Sequence, residues 1–134
     1  MAKYKKKLDA DIRCPLEYEF TIFGGKSGEY PQKLYKALMN SQTVLTVWDD
    51  ARLVGLIRVL DDSEMLAQIH YVLVHPEYQG QGIAGRMVEY IKEKYKNFMY
   101  LELMPEDKNN VPFYEKHGFH VMENGAAMQI CNIN

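Results

Sequence analysis

The segment Val74-His75-Pro76-Glu77-Tyr78-Gln79-Gly80-Gln81-Gly82-Ile83-Ala84-Gly85-Arg86 carries the clearest chemical signal in the chain. An apolar run ends at its first residue and Ile83 opens a helical periodicity, so Gly80, Gly82 and Gly85 lie at a strand-to-helix junction. Glycines let the main chain approach a ligand closely, and the first turn of a helix presents unpaired N–H groups with a partial positive charge. Together these features suit a phosphate or diphosphate. A single glycine would be explained by a plain turn; three within residues 80–85 point to a binding loop. The two thiols, Cys14 and Cys131, are far apart and show no CxxC spacing. Neither a disulfide framework nor a zinc site is expected, and no metal is assigned.

The elements that must hold this loop follow from periodicity. Alternating apolar and polar residues predict a half-buried strand at 16–23, broken by Gly24, Gly25, Ser27 and Gly28. Pro31 opens a helix with Leu34, Tyr35 and Leu38 on one stripe, reaching about Asn40. Residues 43–48 and 53–60 are apolar, β-branched runs around the polar turn Asp49-Asp50-Ala51-Arg52, hence an antiparallel hairpin. A second turn, Asp61-Asp62-Ser63, leads into a strand at 65–74. Ile83, Met87, Ile91 and Tyr95 then recur every fourth residue, a helix of about 14 residues or ~21 Å. Residues 98–104 read as a strand and 109–117 as a short helix ended by Gly118. Residues 119–122 and 126–130 read as closing strands around Asn124-Gly125. The order predicts a mixed α+β fold: a central twisted, mostly antiparallel sheet flanked by helices. The strand–helix–strand crossover makes 65–74 and 98–104 parallel. No linker or repeat interrupts the chain, so residues 1–134 are expected to form a single domain.

Composition excludes several classes. With 134 residues, 47% hydrophobic and 25% charged, the chain is neither disordered nor of low complexity. It has no run of 18 apolar residues to span a membrane, and residues 1–20 lack the apolar stretch of a signal peptide. A cytoplasmic protein with no membrane partner is expected. Sixteen basic residues against 18 acidic ones give a net charge of −2, so nucleic acid is an unlikely partner by charge alone. Lys3, Lys5, Lys6 and Lys7 form the local exception and read as a solvated terminus.

Read literally, Gly80, Gly82 and Gly85 spell the GxGxxG dinucleotide fingerprint, with Glu102 near the distance of a ribose-binding acid. That fingerprint belongs to the first strand–helix–strand unit of a doubly wound sheet. Here a meander precedes it, too little chain follows, and His75-Pro76-Glu77-Tyr78 intervenes where a tight turn is required. A second reading fits better. Gln79-Gly80-Gln81-Gly82-Ile83-Ala84 matches Gln/Arg-x-x-Gly-x-Gly/Ala and closely resembles the acetyl-CoA pyrophosphate loop of the GNAT N-acetyltransferase superfamily. Downstream, Val111-Pro112-Phe113-Tyr114-Glu115-Lys116-His117-Gly118-Phe119 resembles that family's tyrosine motif. Both motifs, in this order, span residues 65–122 with the intervening helix and strand.

The resemblance implies a splayed parallel strand pair, 65–74 and 98–104, with the pantetheine arm of acetyl-CoA in the gap. The backbone of Val72, Leu73 and Val74 would pair with that arm. The amides of Gln79, Gly80, Gln81, Gly82, Ile83 and Ala84 would cradle the diphosphate. Tyr114 matches the tyrosine that protonates the departing thiolate, and a phenol of pKa about 10 keeps its proton at neutral pH. A lysine-like amine lies about 3 pK units above neutrality, on the order of 4–5 kcal/mol, so a base or water relay must accept its proton. His70 and Glu102 occupy positions similar to bases in two branches of the family, and both are candidates. Gln68 stands where histone-type members carry a glutamate, and an amide cannot serve as a base. Asp107 stands where many members have an asparagine, which leaves Asn110 as a nearby cofactor-binding candidate.

The implied activity is transfer of an acetyl group from acetyl-CoA, the cosubstrate, to a primary amine by direct attack in a ternary complex. The amine belongs to a small molecule or a protein. A non-catalytic CoA- or partner-binding module of the same fold is the alternative. A homodimer is compatible with the resemblance.

Overall fold

In the computed structural model, which describes residues 2–5 and 29–133, the apolar runs on either side of Asp50-Ala51 fold back on each other. The chain order is β1 (Ala2–Lys5), α1 (Pro31–Met39), β2 (Thr43–Asp49), β3 (Arg52–Asp61), β4 (Leu66–Val74), α2 (Ile83–Lys94), β5 (Tyr100–Leu103) and α3 (Val111–Lys116). Single 3-10 turns precede α2 and α3 at Pro76–Tyr78 and Lys108–Asn110. The strand expected at 16–23 and the glycine-rich break after it lie outside the described residues. Two compact units are present, Met1–Leu103 and Met104–Asn134.

Among the described residues, the first unit holds one five-stranded sheet in the order β1-β2-β3-β4-β5. Strands β1 to β4 pair antiparallel, and β4 pairs parallel with β5 through the α2 crossover. This is the mixed α+β architecture expected from the sequence. Of the lysine-rich terminus, Lys3 and Lys5 lie within a strand, while Lys6 and Lys7 lie outside the described residues. The backbone of Ala2–Lys5 adds an edge strand, with Ala2 opposite Asp49 and Lys5 opposite Thr46. Main-chain pairing along the open edge of β2 is indifferent to side-chain charge, which is why a charge-based reading missed it.

Alternation along the strands divides the core between two faces. On one, Leu34 and Leu38 of α1 pack with Val44, Trp48, Leu53 and Leu56, joined by Tyr71 and Leu73. On the other, α2 buries Ile83, Met87, Val88 and Ile91. Gly55 makes that contact possible. A Cβ there would lie 3.1 Å from Ile83 Cγ2 and 3.3 Å from Val47 Cβ. The absent side chain is the space that the first turn of α2 fills. Its far end is fixed by polar contacts: the Tyr95 hydroxyl donates to Asp61 Oδ2 at 2.6 Å and accepts from Thr43 Oγ1 at 2.7 Å. Burial, reinforced by the bond to Asp61, pushes the Tyr95 phenol up to about 12.

The β3–β4 turn closes on two carboxylates: Asp61 Oδ1 accepts from Ser63 N at 2.8 Å, and Asp62 holds the rest. Asp62 Oδ1 accepts from the amides of Glu64, Met65 and Leu66 at 2.9, 2.7 and 3.0 Å. These bonds, that of Met65 foremost, hold the Asp62 carboxyl below its ordinary range.

Residues 119–122 and 126–130, expected as closing strands, have no regular structure. Val121, Met122, Met128 and Ile130 are exposed. Their apolar side chains supply strand propensity but no partner, and a strand exists only through its ladder. Helix α2 has 12 residues and β5 four, each shorter than its apolar pattern suggested. Among the described residues no helix is long and apolar enough to cross a membrane.

Tyr95→Phe removes the only polar atom of this side chain and strands Thr43 and Asp61. We expect a loss of about 1–3 kcal/mol, read as a lower urea midpoint with an unchanged slope.

Candidate functional site

The loop between β4 and α2 is shaped by two left-handed residues. Gly80 has φ 82° and Gly82, the N-cap of α2, has φ 80°. An L side chain at either position would be strained by the backbone itself, yet a Cβ on either would meet nothing within 4 Å. The glycines therefore serve conformation and open approach, not close internal packing. Gly82 brings no side chain to cap the helix, so the first-turn N–H groups are left to other acceptors such as water or a ligand. Arg86 N returns to Gly82 O at 3.1 Å, which starts the helical ladder.

Upstream, the 3-10 turn Pro76–Tyr78 is tied down on several sides. His75 is buried, its own amide donates to Val54 O at 2.8 Å, and its Nδ1 accepts from Glu77 N at 3.2 Å. Arg52, at the start of β3, reaches Glu77 Oε2 at 2.6 Å and lies 3.0 Å from His75 Nε2. The Tyr78 hydroxyl donates a hydrogen bond to Asp49 at the end of β2. Gln79 Nε2 donates to the Val74 carbonyl at 3.1 Å, closing the entry to the loop. None of the side-chain links to Asp49 and Arg52 was legible in the sequence, because they join positions more than twenty residues apart.

Strand β4 changes character halfway along. Its parallel pairing to β5 runs from Leu66 opposite Tyr100 to Ile69 opposite Leu103 and stops there. Its antiparallel pairing to β3 continues to Val74 opposite Gly55. The change coincides with a bulge: Arg58 faces Tyr71 while Val59 faces Ile69, so His70 is the extra residue. A bulge bends its strand and increases the local twist. Val72, Leu73 and Val74 thus lie on a stretch of β4 bonded to β3 alone, where β5 has already ended.

The bulge also brings consecutive side chains together. The His70 and Tyr71 rings lie 4.4 Å apart, centroid to centroid. Arg58 reaches both, with Nη1 2.8 Å from His70 Nδ1 and its guanidinium 5.7 Å from the Tyr71 ring centre. Its Nε donates to Ser41 Oγ at 2.8 Å. A guanidinium only donates, so Nδ1 of His70 is the acceptor and the neutral ring carries its proton on Nε2. Partial burial lowers the Arg58 guanidinium from its usual value. Glu102, half-buried on β5, is the register partner of Gln68. Paired strand residues share a face, so Glu102, Gln68 and the bulged His70 belong to the same side of the sheet.

The second unit carries the tyrosine segment. Asp107 accepts from Asn109 N at 2.9 Å and so caps the 3-10 turn Lys108–Asn110. That local task gives its carboxylate a use unrelated to any ligand. Asn110 is the N-cap residue of α3 but makes no side-chain capping bond. Tyr114 is half-buried, 5.0 Å from the Phe113 ring and 6.0 Å from the Phe119 ring, and burial raises its phenol above the usual value. Gly118, with φ 93°, ends the helix, and its N–H donates to Glu115 O at 3.1 Å. Phe119 N then returns to Tyr114 O at 3.2 Å. Among the described residues no group of three His, Cys, Asp or Glu could hold a metal ion.

Comparison with known proteins agrees with this geometry. The model of the acetyltransferase (GNAT) family matches residues 14–119. An uncharacterized N-acetyltransferase from the lysA 3′ region of Bacillus methanolicus is 34% identical over 117 residues, 87% of this chain and 92% of that protein. An uncharacterized ycf52-like N-acetyltransferase of Prochlorococcus marinus is 28% identical over 99 residues, 70% of this chain and 55% of the relative's length. A solved protein of unknown function from meticillin-resistant Staphylococcus aureus, described as a probable acetyltransferase, is 28% identical with a TM-score of 0.81. That alignment covers 98% of this chain and 99% of its counterpart. With a family match over most of its length, a relative above 30% identity and the expected strand–loop–helix geometry, the chain belongs to the GNAT acetyltransferase family.

Proposed function

We propose that the protein transfers an acetyl group from acetyl-CoA to a primary amine by direct attack in a ternary complex. The observation that carries this reading is the half-released β4: five residues beyond Ile69 lack β5 as a neighbour and lead into a loop opened by Gly80 and Gly82. Those residues fit the group. A diphosphate needs main-chain donors without intervening side chains, and the open space above both glycines provides for that. Bound acetyl-CoA supplies the activated thioester. The amides from Gln79 through Ala84 and the positive end of α2 bind the diphosphate. Val72, Leu73 and Val74 offer main-chain groups along the pantetheine arm, although the Val74 carbonyl already accepts from Gln79. Asn110 is a further polar contact for the cofactor.

Tyr114 is the proposed acid for the departing thiolate. Its raised pKa keeps the phenol protonated across the neutral range. Glu102 and His70 remain the proposed routes for the amine proton, directly or through water. The contact with Arg58 bears on that choice. With Nδ1 engaged and the proton on Nε2, His70 presents a donor and must change partners before it can act as a base. Glu102 needs no such rearrangement. The acceptor's identity beyond a primary amine is left to a screen, and action in the cytoplasm is part of the proposal.

Millimolar acetyl-CoA should raise the melting temperature while NAD leaves it unchanged; an equal response to both would defeat the cofactor assignment. A thiol-release assay over a panel of amines should find turnover, whereas tight CoA binding with no acceptor would identify a binding module instead. Tyr114→Phe should lower kcat by roughly 10²–10⁴-fold with CoA affinity retained. Full activity in that variant removes the acid role. In pH–rate profiles, Glu102→Gln should lose the limb on the acidic side and His70→Ala should keep it. The reverse result makes His70 the base, and a limb kept in both points to a water relay.

A further inference from the structure

Building on the diphosphate reading of residues 79–84, we propose that the β2–β3 turn is the positioning element for that loop. Asp49 and Arg52, which lie outside the loop, hold the Pro76–Tyr78 turn and thereby set where the Gly80–Ala84 amides point.

The loop has little of its own to hold it. Gly80 and Gly82 have no side chains, and the helix N-cap makes no side-chain bond. Left to itself, such a segment would lose backbone entropy for each residue ordered on binding. Its upstream anchor is the 3-10 turn, and two of that turn's residues are gripped by the hairpin. Glu77 Oε2 accepts from Arg52 Nη2 at 2.6 Å. The Tyr78 hydroxyl donates to Asp49, and the Tyr78 ring lies 5.7 Å from the Arg52 guanidinium carbon. Asp49 and Arg52 are themselves register partners across the hairpin, so both grips originate from one rigid pair.

Magnitude separates positioning from stability. The Arg52 and Glu77 side chains are 40% and 67% exposed, and ion pairs so exposed contribute little to folding. Two links from one turn nevertheless fix the translation and the rotation of the segment they hold. Charge adds a second effect. Arg52 holds the Glu77 carboxyl below its ordinary range, chiefly through their hydrogen bond, so this carboxylate is ionised at neutral pH. Three residues ahead of Gly80, an ionised group without its cation would repel a diphosphate. Arg52 therefore aims the loop and neutralises the nearest acid, and touches neither substrate.

The test compares CoA with pantetheine, which keeps the arm but lacks the diphosphate, by calorimetry on the full chain. Tyr78→Phe breaks the bond to Asp49 without changing charge, and Arg52→Gln breaks the other. Each should weaken CoA binding on the order of tenfold and leave pantetheine binding unchanged, since what is lost is preorganisation of the loop. Amide hydrogen exchange at 79–84 should quicken in both variants, the melting temperature should stay within a few degrees, and Arg52→Lys should recover part of the affinity. Unchanged CoA affinity in both variants overturns the proposal, as does an equal loss for both ligands, which would mark general damage. Wild-type protein that binds no CoA overturns the cofactor reading together with this one, and so is distinguished from failure of the positioning role alone.

Discussion

The candidate site depends on one asymmetry: β4 is bonded along its whole length on one side and along only half of it on the other. The β3 ladder runs to Val74 opposite Gly55, whereas the β5 ladder ends at Ile69 opposite Leu103. Backbone groups seldom go unpaired in a sheet interior, so an edge opened partway along a strand needs a structural cause. The bulge at His70 supplies it. One inserted residue bends β4 where its parallel partner ends, and it turns His70 and Tyr71 toward a shared partner in Arg58. The same residue thus shapes the edge and bears an imidazole beside it.

Helix α2 has the complementary task of holding its positive end at the mouth of that edge. Its axis is set at the N-terminal side by contact with the bare backbone of Gly55 and at the C-terminal side by Tyr95 between Asp61 and Thr43. Between these points Met87, Val88 and Ile91 are fully buried. Burial of this kind contributes on the order of 1.5–3 kcal/mol for each large side chain, far more than any of the exposed ion pairs. Apolar packing therefore decides where the helix lies, and polar contacts decide how its leading loop is presented.

Much of this was legible in the sequence, for physical reasons that differ by element. The hairpin and α2 announce themselves because their apolar periods of two and three to four are sustained. Gly80 and Gly82 were legible because few residues other than glycine adopt positive φ at no steric cost. The His70 bulge was not, since an extra residue inside the run 66–74 leaves its apolar character unchanged. Residues 119–122 and 126–130 are short apolar runs around a turn but form no strand, because apolar character says nothing about a neighbour. The lysines of β1 concealed a main-chain ladder behind side-chain charge. Asp107 illustrates the local limit: a carboxylate that looked out of place beside a cofactor is occupied in capping the Lys108–Asn110 turn.

Gly55 has a consequence that extends past packing. The direction in which a helix dipole points depends here on a missing methyl group on the neighbouring strand β3. An alanine at that position would set a methyl 3.1 Å from Ile83 Cγ2, so the Ile83 side chain or the first turn of α2 must give by a few tenths of an ångström. Such a change alters core volume very little, yet it is applied at the pivot of a charge-bearing rod, where a small tilt is amplified along its length. Filling the interior at residue 55 would therefore act on the seat of that rod as well as on packing.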